Sequence, residues 1–131
     1  MENLIVASKL KKLNKEKFEV STSATFFEPL NQDILESVDA AIEHAKKVGR
    51  KTVMGKDFDF YKEDPQIENV LIVASKLKNH IKEKSGLSTS SQCATQLTVR
   101  VEKICALSSE KAKADKRKTV MDRDLTVPTV L

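Results

Sequence analysis

The chain has no Trp and one Tyr, Tyr61, and it holds only three Gly and three Pro in 131 residues. So few backbone breakers, beside so much Lys, Glu, Ala and Leu, favour long helices. Cysteine is scarce: Cys93 and Cys105 lie 12 apart in one predicted helix, roughly 18 Å along its axis. They cannot pair with each other there. They are expected as free, buried thiols in a reducing compartment. No apolar run approaches the length of a membrane span. Residues 1–20 have scattered charges and no cleavage-like site, so no signal peptide is expected and the location is cytoplasmic. Catalytic groupings are missing as well. No Gly-rich phosphate loop, nucleophile–base arrangement or paired acid is found, and an enzyme is not expected. His44 and His80 stand alone, without a second ligand at metal spacing, and read as surface or loop residues. Neither a cofactor nor a small-molecule substrate is implied.

Charge is plentiful instead, at 32% of residues, with a net +4 and a sequence pI near 9.0. The composition is that of an ordinary soluble chain, mildly basic and open to an anionic partner. The excess is uneven. Residues 1–64 carry 11 Lys/Arg against 12 Asp/Glu, and residues 65–131 carry 12 against 7. The second half is therefore expected to supply more of any basic surface, most densely at Lys111, Lys113, Lys116, Arg117 and Lys118.

One pentapeptide occurs twice, as Arg50-Lys51-Thr52-Val53-Met54 and Arg117-Lys118-Thr119-Val120-Met121. An acid stands three residues past each Met, Asp57 and Asp124. The offset of 67 holds far beyond the motif. Leu4-Ile5-Val6-Ala7-Ser8-Lys9-Leu10-Lys11 returns unchanged from Leu71 to Lys78, and Ser21-Thr22-Ser23 returns as Ser88-Thr89-Ser90. This is a duplicated unit of about 60 residues, divided here as 1–64 and 65–131.

Each unit predicts three helices. A short one covers 4–13 and 71–81, with apolar residues on one stripe and lysines between. A long one covers 22–48 and 89–115, with Ser21 and Ser88 as N-caps. Phe27, Leu30, Ile34, Val38, Ala41, Ile42 and Ala45 mark its buried stripe, and Ala94, Leu97, Val101, Ile104, Cys105 and Ala112 mark the second copy's. Phe26, Phe58 and Phe60 also read as core. Pro29 either kinks the first long helix or opens it afresh near Glu28. Gly49 suits the helix end, and Lys116, its counterpart, is less comfortable there. The pentapeptide follows as a loop. A third short helix is placed at 55–62 and 122–126.

A unit of about 60 residues is too small to cover its own long helix. Two units can cross their long helices, which sets the loop before one beside the loop after the other. Short–long–short helices, with Gly49-Arg50-Lys51-Thr52-Val53 closing the long one and an Asp shortly after, resemble the histone fold. The loop is similar to that of archaeal histones. The duplication, with Val-Ala-Ser-Lys-Leu-Lys opening each half, most resembles a bacterial family of single-chain histone-fold pseudodimers. The fold expected is all-α: two tandem histone folds in an intramolecular handshake. The resemblance implies that Arg50 pairs with Asp57 and Arg117 with Asp124, as structural clamps. It implies that Lys51, Thr52, Lys118 and Thr119 face DNA phosphates, with Lys9, Lys11, Lys76 and Lys78 on the first helices and Lys116 in the basic patch. The expected partner is double-stranded DNA, bound without sequence preference in the nucleoid, with self-association as a further mode. The chain departs from the family pattern in two places. The first-helix basic residue is Lys rather than Arg, and Glu19 and Gly86 stand where the loop usually carries Arg. The other class open to the sequence is a protein–protein interaction scaffold that never touches DNA.

Overall fold

The computed structural model describes residues 3–128. Its elements are helix α1 (Ala7–Phe18), strand β1 (Ser21–Thr22), helix α2 (Ala24–Lys47), strand β2 (Thr52–Val53) and a 3-10 turn (Gly55–Asp57). The same series returns as α3 (Ala74–Ser85), β3 (Ser88–Thr89), α4 (Gln92–Ala114), β4 (Thr119–Val120) and a 3-10 turn (Asp122–Asp124). The chain is mostly helical rather than purely so. Four two-residue strands correct the all-α expectation, because the backbone groups flanking the long helices find partners across the two halves.

Those pairings are parallel and reciprocal. β1 pairs with β4, Ser21 opposite Thr119, and β2 pairs with β3, Thr52 opposite Ser88. The Ser21 N–H donates to the Lys118 carbonyl at 2.8 Å and the Ser88 N–H to the Lys51 carbonyl at 3.0 Å. This moves the helix starts predicted at Ser21 and Ser88. Ser23 is the N-cap of α2, its Oγ accepting from the Thr25 N–H at 3.2 Å, and Ser90 Oγ accepts from the Gln92 N–H at 3.2 Å.

α1 and α3 likewise begin later than predicted, because the residues before them are spoken for. The Val6 N–H donates to the Leu71 carbonyl and the Val73 N–H to the Leu4 carbonyl, each at 2.8 Å. Ile5 thus faces Ile72 in an antiparallel bridge between counterpart residues. The Leu4 N–H also donates to Asn31 Oδ1 at 2.9 Å, and the Leu71 N–H to its counterpart acceptor, Thr98 Oγ1, at 3.0 Å. Both helices then run further than expected through good helix formers to the left-handed residues Glu19 and Gly86.

Pro29 is the sixth residue of an unbroken α2. The bond it cannot make would have gone to the Thr25 carbonyl, on an exposed residue of the first turns where water can substitute. The third helix predicted at 55–62 and 122–126 is only one 3-10 turn in each half. Beyond the first turn the chain extends to dock Phe58 into the core and to bond Lys62 to Gln96, at 2.9 Å from the Lys62 N–H to Oε1 and 2.7 Å from Nε2 to the Lys62 carbonyl. Pro29 occupies the counterpart position of Gln96 and offers no such amide.

A single core gathers the two long helices. Phe26, Leu30, Ile34, Val38 and Ala45 of α2 and Leu97, Val101, Ile104, Cys105 and Ala112 of α4 are fully buried, with Leu10, Leu77 and Ile81 from the short helices. Phe27 and Phe60 pack on its edge. Both cysteines are free and buried there, and burial pushes their thiols up to about 12. The halves are not packed identically. Asn14 Nδ2 donates to Thr22 Oγ1 at 2.8 Å, whereas Ile81 replaces Asn14 in the second half and leaves the buried Thr89 Oγ1 without a partner among the described residues.

Each long helix ends in the same backbone motif. The Gly49 N–H bonds to the Lys46 carbonyl and the Arg50 N–H to the Ala45 carbonyl, both at 3.0 Å. Lys116 and Arg117 repeat this with Lys113 and Ala112 at 2.8 and 2.9 Å. The motif needs a left-handed residue at its centre. Gly49 takes φ +80° at no steric cost, and Lys116 must take φ +60° with a Cβ. Lys116→Gly should therefore raise stability by about 1 kcal/mol, the relief of left-handed strain less the entropy of Gly. Thermal unfolding checks this: a melting temperature unchanged or lower would show the strain to be absent.

Candidate functional site

The repeated pentapeptide uses all five of its residues structurally. Its Arg closes the helix end through the backbone, as above. The same Arg turns its guanidinium onto a fully buried carboxylate. Arg50 Nη1 donates to Asp57 Oδ2 at 2.8 Å and Nη2 reaches Oδ1. Arg117 grips Asp124 the same way, at 2.7 and 2.5 Å. The Met N–H completes the cage, donating to Asp57 Oδ2 at 2.7 Å and to Asp124 Oδ2 at 2.9 Å. The pentapeptide's Val is fully buried. Its Thr and Val make the strand, and the carbonyl of its Lys accepts the cross-half bond. What is left facing outward is the Lys side chain, exposed in both copies, and the half-exposed Thr side chain.

His44 belongs to this cage, which the sequence reading missed by treating it as isolated. Its Nδ1 lies 2.8 Å from Asp57 Oδ1. A signal was present: the counterpart of His44 is Lys111, so both halves place a basic side chain there. Lys111 Nζ donates to the Arg123 carbonyl at 3.1 Å. His80 is partnered too, 3.3 Å from Asp39, beside Lys84 at 2.7 Å from the same carboxylate. Arg117 has a further partner with no counterpart in the first half, Asp115 at 2.9 Å.

Burial alone would push the Asp57 carboxyl up. The Arg50 guanidinium, the Met54 N–H and His44 outweigh it and hold the group down at about 2. Arg117 does the same for Asp124, in the same direction. A group depressed in the folded state stabilises above its unfolded pKa near 4, and that stabilisation disappears as pH falls toward 2. It is worth about 2 kcal/mol at Asp57. The wild-type melting temperature should drop across pH 4 to 2. Asp57→Asn should be less stable at neutral pH and should lose less over that window. Parallel pH profiles for the two proteins would remove the cage from the account.

Because the strands pair across halves, each outward Lys sits in a composite site. One end of the molecule joins the α1–α2 loop to the loop after α4; the other joins the α3–α4 loop to the loop after α2. The charge imbalance between halves disappears at these ends. At the first end, residues 15–23 set two Lys against two Glu, and residues 111–119 carry five basic residues against Asp115, a net of +4. At the second, residues 82–90 contribute +1 and residues 44–52 contribute +4, a net of +5. The expectation that the second half would supply more of the basic surface is thus not met at the loop pairs. The acidic excess of the first half lies on α2 and residues 57–64 instead.

The ends do differ in backbone. Glu19 and Lys116 are the left-handed residues of the first end, and Gly86 and Gly49 those of the second. A Cβ at either glycine would meet nothing within 4 Å, so that end presents bare, open backbone.

α2 runs from the first end to the second in 24 residues and α4 returns in 23. At 1.5 Å per residue the two loop pairs stand about 35 Å apart. Between them, the first turns of α1 and α3 carry Lys9, Lys11, Lys76 and Lys78, all exposed. Among the described residues, none of these four, nor Lys51, Lys116 or Lys118, has an ion pair or side-chain hydrogen bond. Among the described residues no group of three His, Cys, Asp or Glu could hold a metal ion, and no helix is long and apolar enough to cross a membrane.

Helices of short and long span, duplicated, with the long ones crossed and their flanking loops paired in parallel, define the histone fold. The chain is similar to the crystal structure of the histone from Methanopyrus kandleri, with a TM-score of 0.67 at 16% identity. The likeness covers 92% of this chain and 89% of that one, so it runs through both halves. No protein-family model matches the chain, and no curated protein matches it significantly.

Proposed function

We propose that the two units form a single-chain histone pseudodimer that binds double-stranded DNA through its phosphates, without reading bases. The structural neighbour is a histone and spans both units, which supports the pairing and the DNA partner together. The observation that carries the reading is the placement of unpaired lysines. Two basic loop pairs lie about one duplex turn apart, ~35 Å, with four more lysines between them. Lys51, Thr52, Lys118 and Thr119 are the phosphate contacts at the ends, joined by Lys116. Lys9, Lys11, Lys76 and Lys78 serve the middle. The N-termini of α2 and α4 open beside the loop pairs and add backbone donors and a favourable dipole. Arg50, Asp57, Arg117 and Asp124 hold the loops in shape and do not touch DNA.

The departures from the histone pattern set the mode of binding. With Glu19 and Gly86 in the two loops, no Arg enters the minor groove, and attraction to the backbone is what remains. Such a protein resembles the bacterial pseudodimer family, and its place is the nucleoid. The scaffold reading leaned on the near-neutral first half and on the missing loop Arg; the nearly equal charge at the two ends takes the first of these away.

Binding should therefore ignore sequence and fall steeply with salt, with a log–log slope of roughly −4 to −6 for five to seven phosphate contacts. A gel retardation series on long duplex at rising salt measures it. No shift at low salt would leave the scaffold reading in its place.

Lys51→Glu and Lys118→Glu should each weaken binding on every duplex alike and flatten the salt slope by about 1 or more. Since the ends carry similar charge, the two losses should agree within about threefold, under ~0.7 kcal/mol. Fluorescence anisotropy on two unrelated sequences tests both points. A loss confined to Lys118→Glu would restore the imbalance counted from the sequence.

A further inference from the structure

We propose that Asp33 and Arg100 make the two halves obligate partners: the first half pairs with the second, and neither pairs with its own kind. The two residues are counterparts, 67 apart. Counterpart residues of a duplicated pair can touch only on the axis that relates the units. Among the described residues, two such contacts stand out, and they differ in kind. At Ile5 and Ile72 the axis carries identical residues, which fit any pairing of units. At Asp33 and Arg100 it carries opposite charges. Arg100 Nε donates to Asp33 Oδ2 at 2.7 Å and Nη2 to Oδ1 at 2.9 Å, a two-pronged fork between α4 and α2.

The fork is well covered, with the Arg100 side chain 10% exposed and that of Asp33 15% exposed. Burial makes the choice of partner matter. Two first halves would bring Asp33 against Asp33, and two second halves would bring Arg100 against Arg100. Like charges at contact in a place so sheltered from solvent repel strongly, where exposed ones would hardly do so. The fork is also built from one side only. Phe60 lies under the Arg100 guanidinium at 5.1 Å and stacks against Phe58 at 5.3 Å. The counterparts of Phe60 and Phe58 are Val127 and Leu125, which offer no ring face.

A second contact discriminates against pairs of second halves. Asp39 on α2 receives both His80 and Lys84 from α3. Its counterpart on α4 is Ala106. A pairing of two second halves would leave His80 and Lys84 facing that Ala. The duplication has thus become a lock-and-key pair, and the proposal stands on this crossing whether or not DNA is bound.

Single charge reversals in the full chain reproduce the like-charge opposition directly. Asp33→Arg sets Arg against Arg, and Arg100→Asp sets Asp against Asp. Each should lower the melting temperature by roughly 10 °C. The exchanged double variant, Asp33→Arg with Arg100→Asp, should recover more than half of that loss, although Arg at 33 has no Phe60 beneath it. The neutral double variant, Asp33→Asn with Arg100→Gln, should melt between the wild type and the single reversals. If the exchanged variant is no more stable than the worse single reversal, or fails to fold, the proposal is overturned. A neutral variant as unstable as the reversals overturns it too, because packing rather than charge would then be at work.

Discussion

Two buried carboxylates hold the two loop ends of the molecule in shape. Asp57 and Asp124 have no exposed side-chain surface, and an unpaired charge there would be intolerable. Each is satisfied by an Arg that has already closed the preceding helix with its own backbone N–H, and by the N–H of the Met four residues past that Arg. The carboxylate therefore fixes the course of the chain from helix end to 3-10 turn. Between those fixed points the Lys carbonyl and the Thr-Val strand can face one way only, toward the loop of the other half. Cross-half strand pairing depends on the cage, and the exposed position of Lys51 and Lys118 depends on both.

Much of this was legible in the sequence because it follows from repetition. A gapless offset of 67 gives the juxtaposed loops that pair across the two stretches of chain. Apolar spacing gave most of the buried stripe of α2, from Leu30 to Ala45, but it put Phe27 in the stripe where Phe27 lies at the edge, and it left out the buried Asn31 and Leu35. What was not legible involves backbone groups answering each other across the halves. Nothing in Leu4-Ile5-Val6 says that its N–H groups are taken by Leu71 and Asn31, so the short helices were placed too early. Ser21 and Ser88 are sound N-caps by type, but their N–H groups serve strands; Ser23 caps α2, and at α4 the Ser90 hydroxyl takes the Gln92 N–H one residue before the N-cap Ser91. The third helix failed for a related reason. Asp57 and Asp124 spend their carboxylates inward, and the chain after them turns to the core and α4 instead of coiling on: Phe58 is buried and Lys62 bonds to Gln96 in the first half, and the Thr126 N–H donates to Ser108 Oγ in the second.

Composition by halves misled more than it informed. Net charge per half describes a stretch of chain, and a crossed pair does not present its surface in stretches. Each loop pair borrows one segment from each half, so an acidic α2 and a basic α4 still yield two ends of nearly equal charge. The differences that survive at the ends are conformational. Glu19 and Lys116 hold left-handed geometry under strain at one end, whereas Gly86 and Gly49 hold it freely at the other.

A duplicated chain can keep its halves interchangeable or let them specialise, and the axis records which course was taken. Positions away from the axis always meet a different residue, so divergence there costs little and says little. Positions on the axis meet their own counterpart. A charge placed there would repel its copy in any symmetric pair, and so can persist only if the counterpart changes sign. Asp33 and Arg100 have that form, while Ile5 and Ile72 keep the neutral form that both courses permit. Divergence on the axis makes sense only for units that are always joined, because the linker guarantees each Asp33 an Arg100. Covalent joining thus frees the two ends to differ in backbone, one open and glycine-lined, the other built on the left-handed Glu19 and Lys116, on a scaffold whose pairing is no longer symmetric.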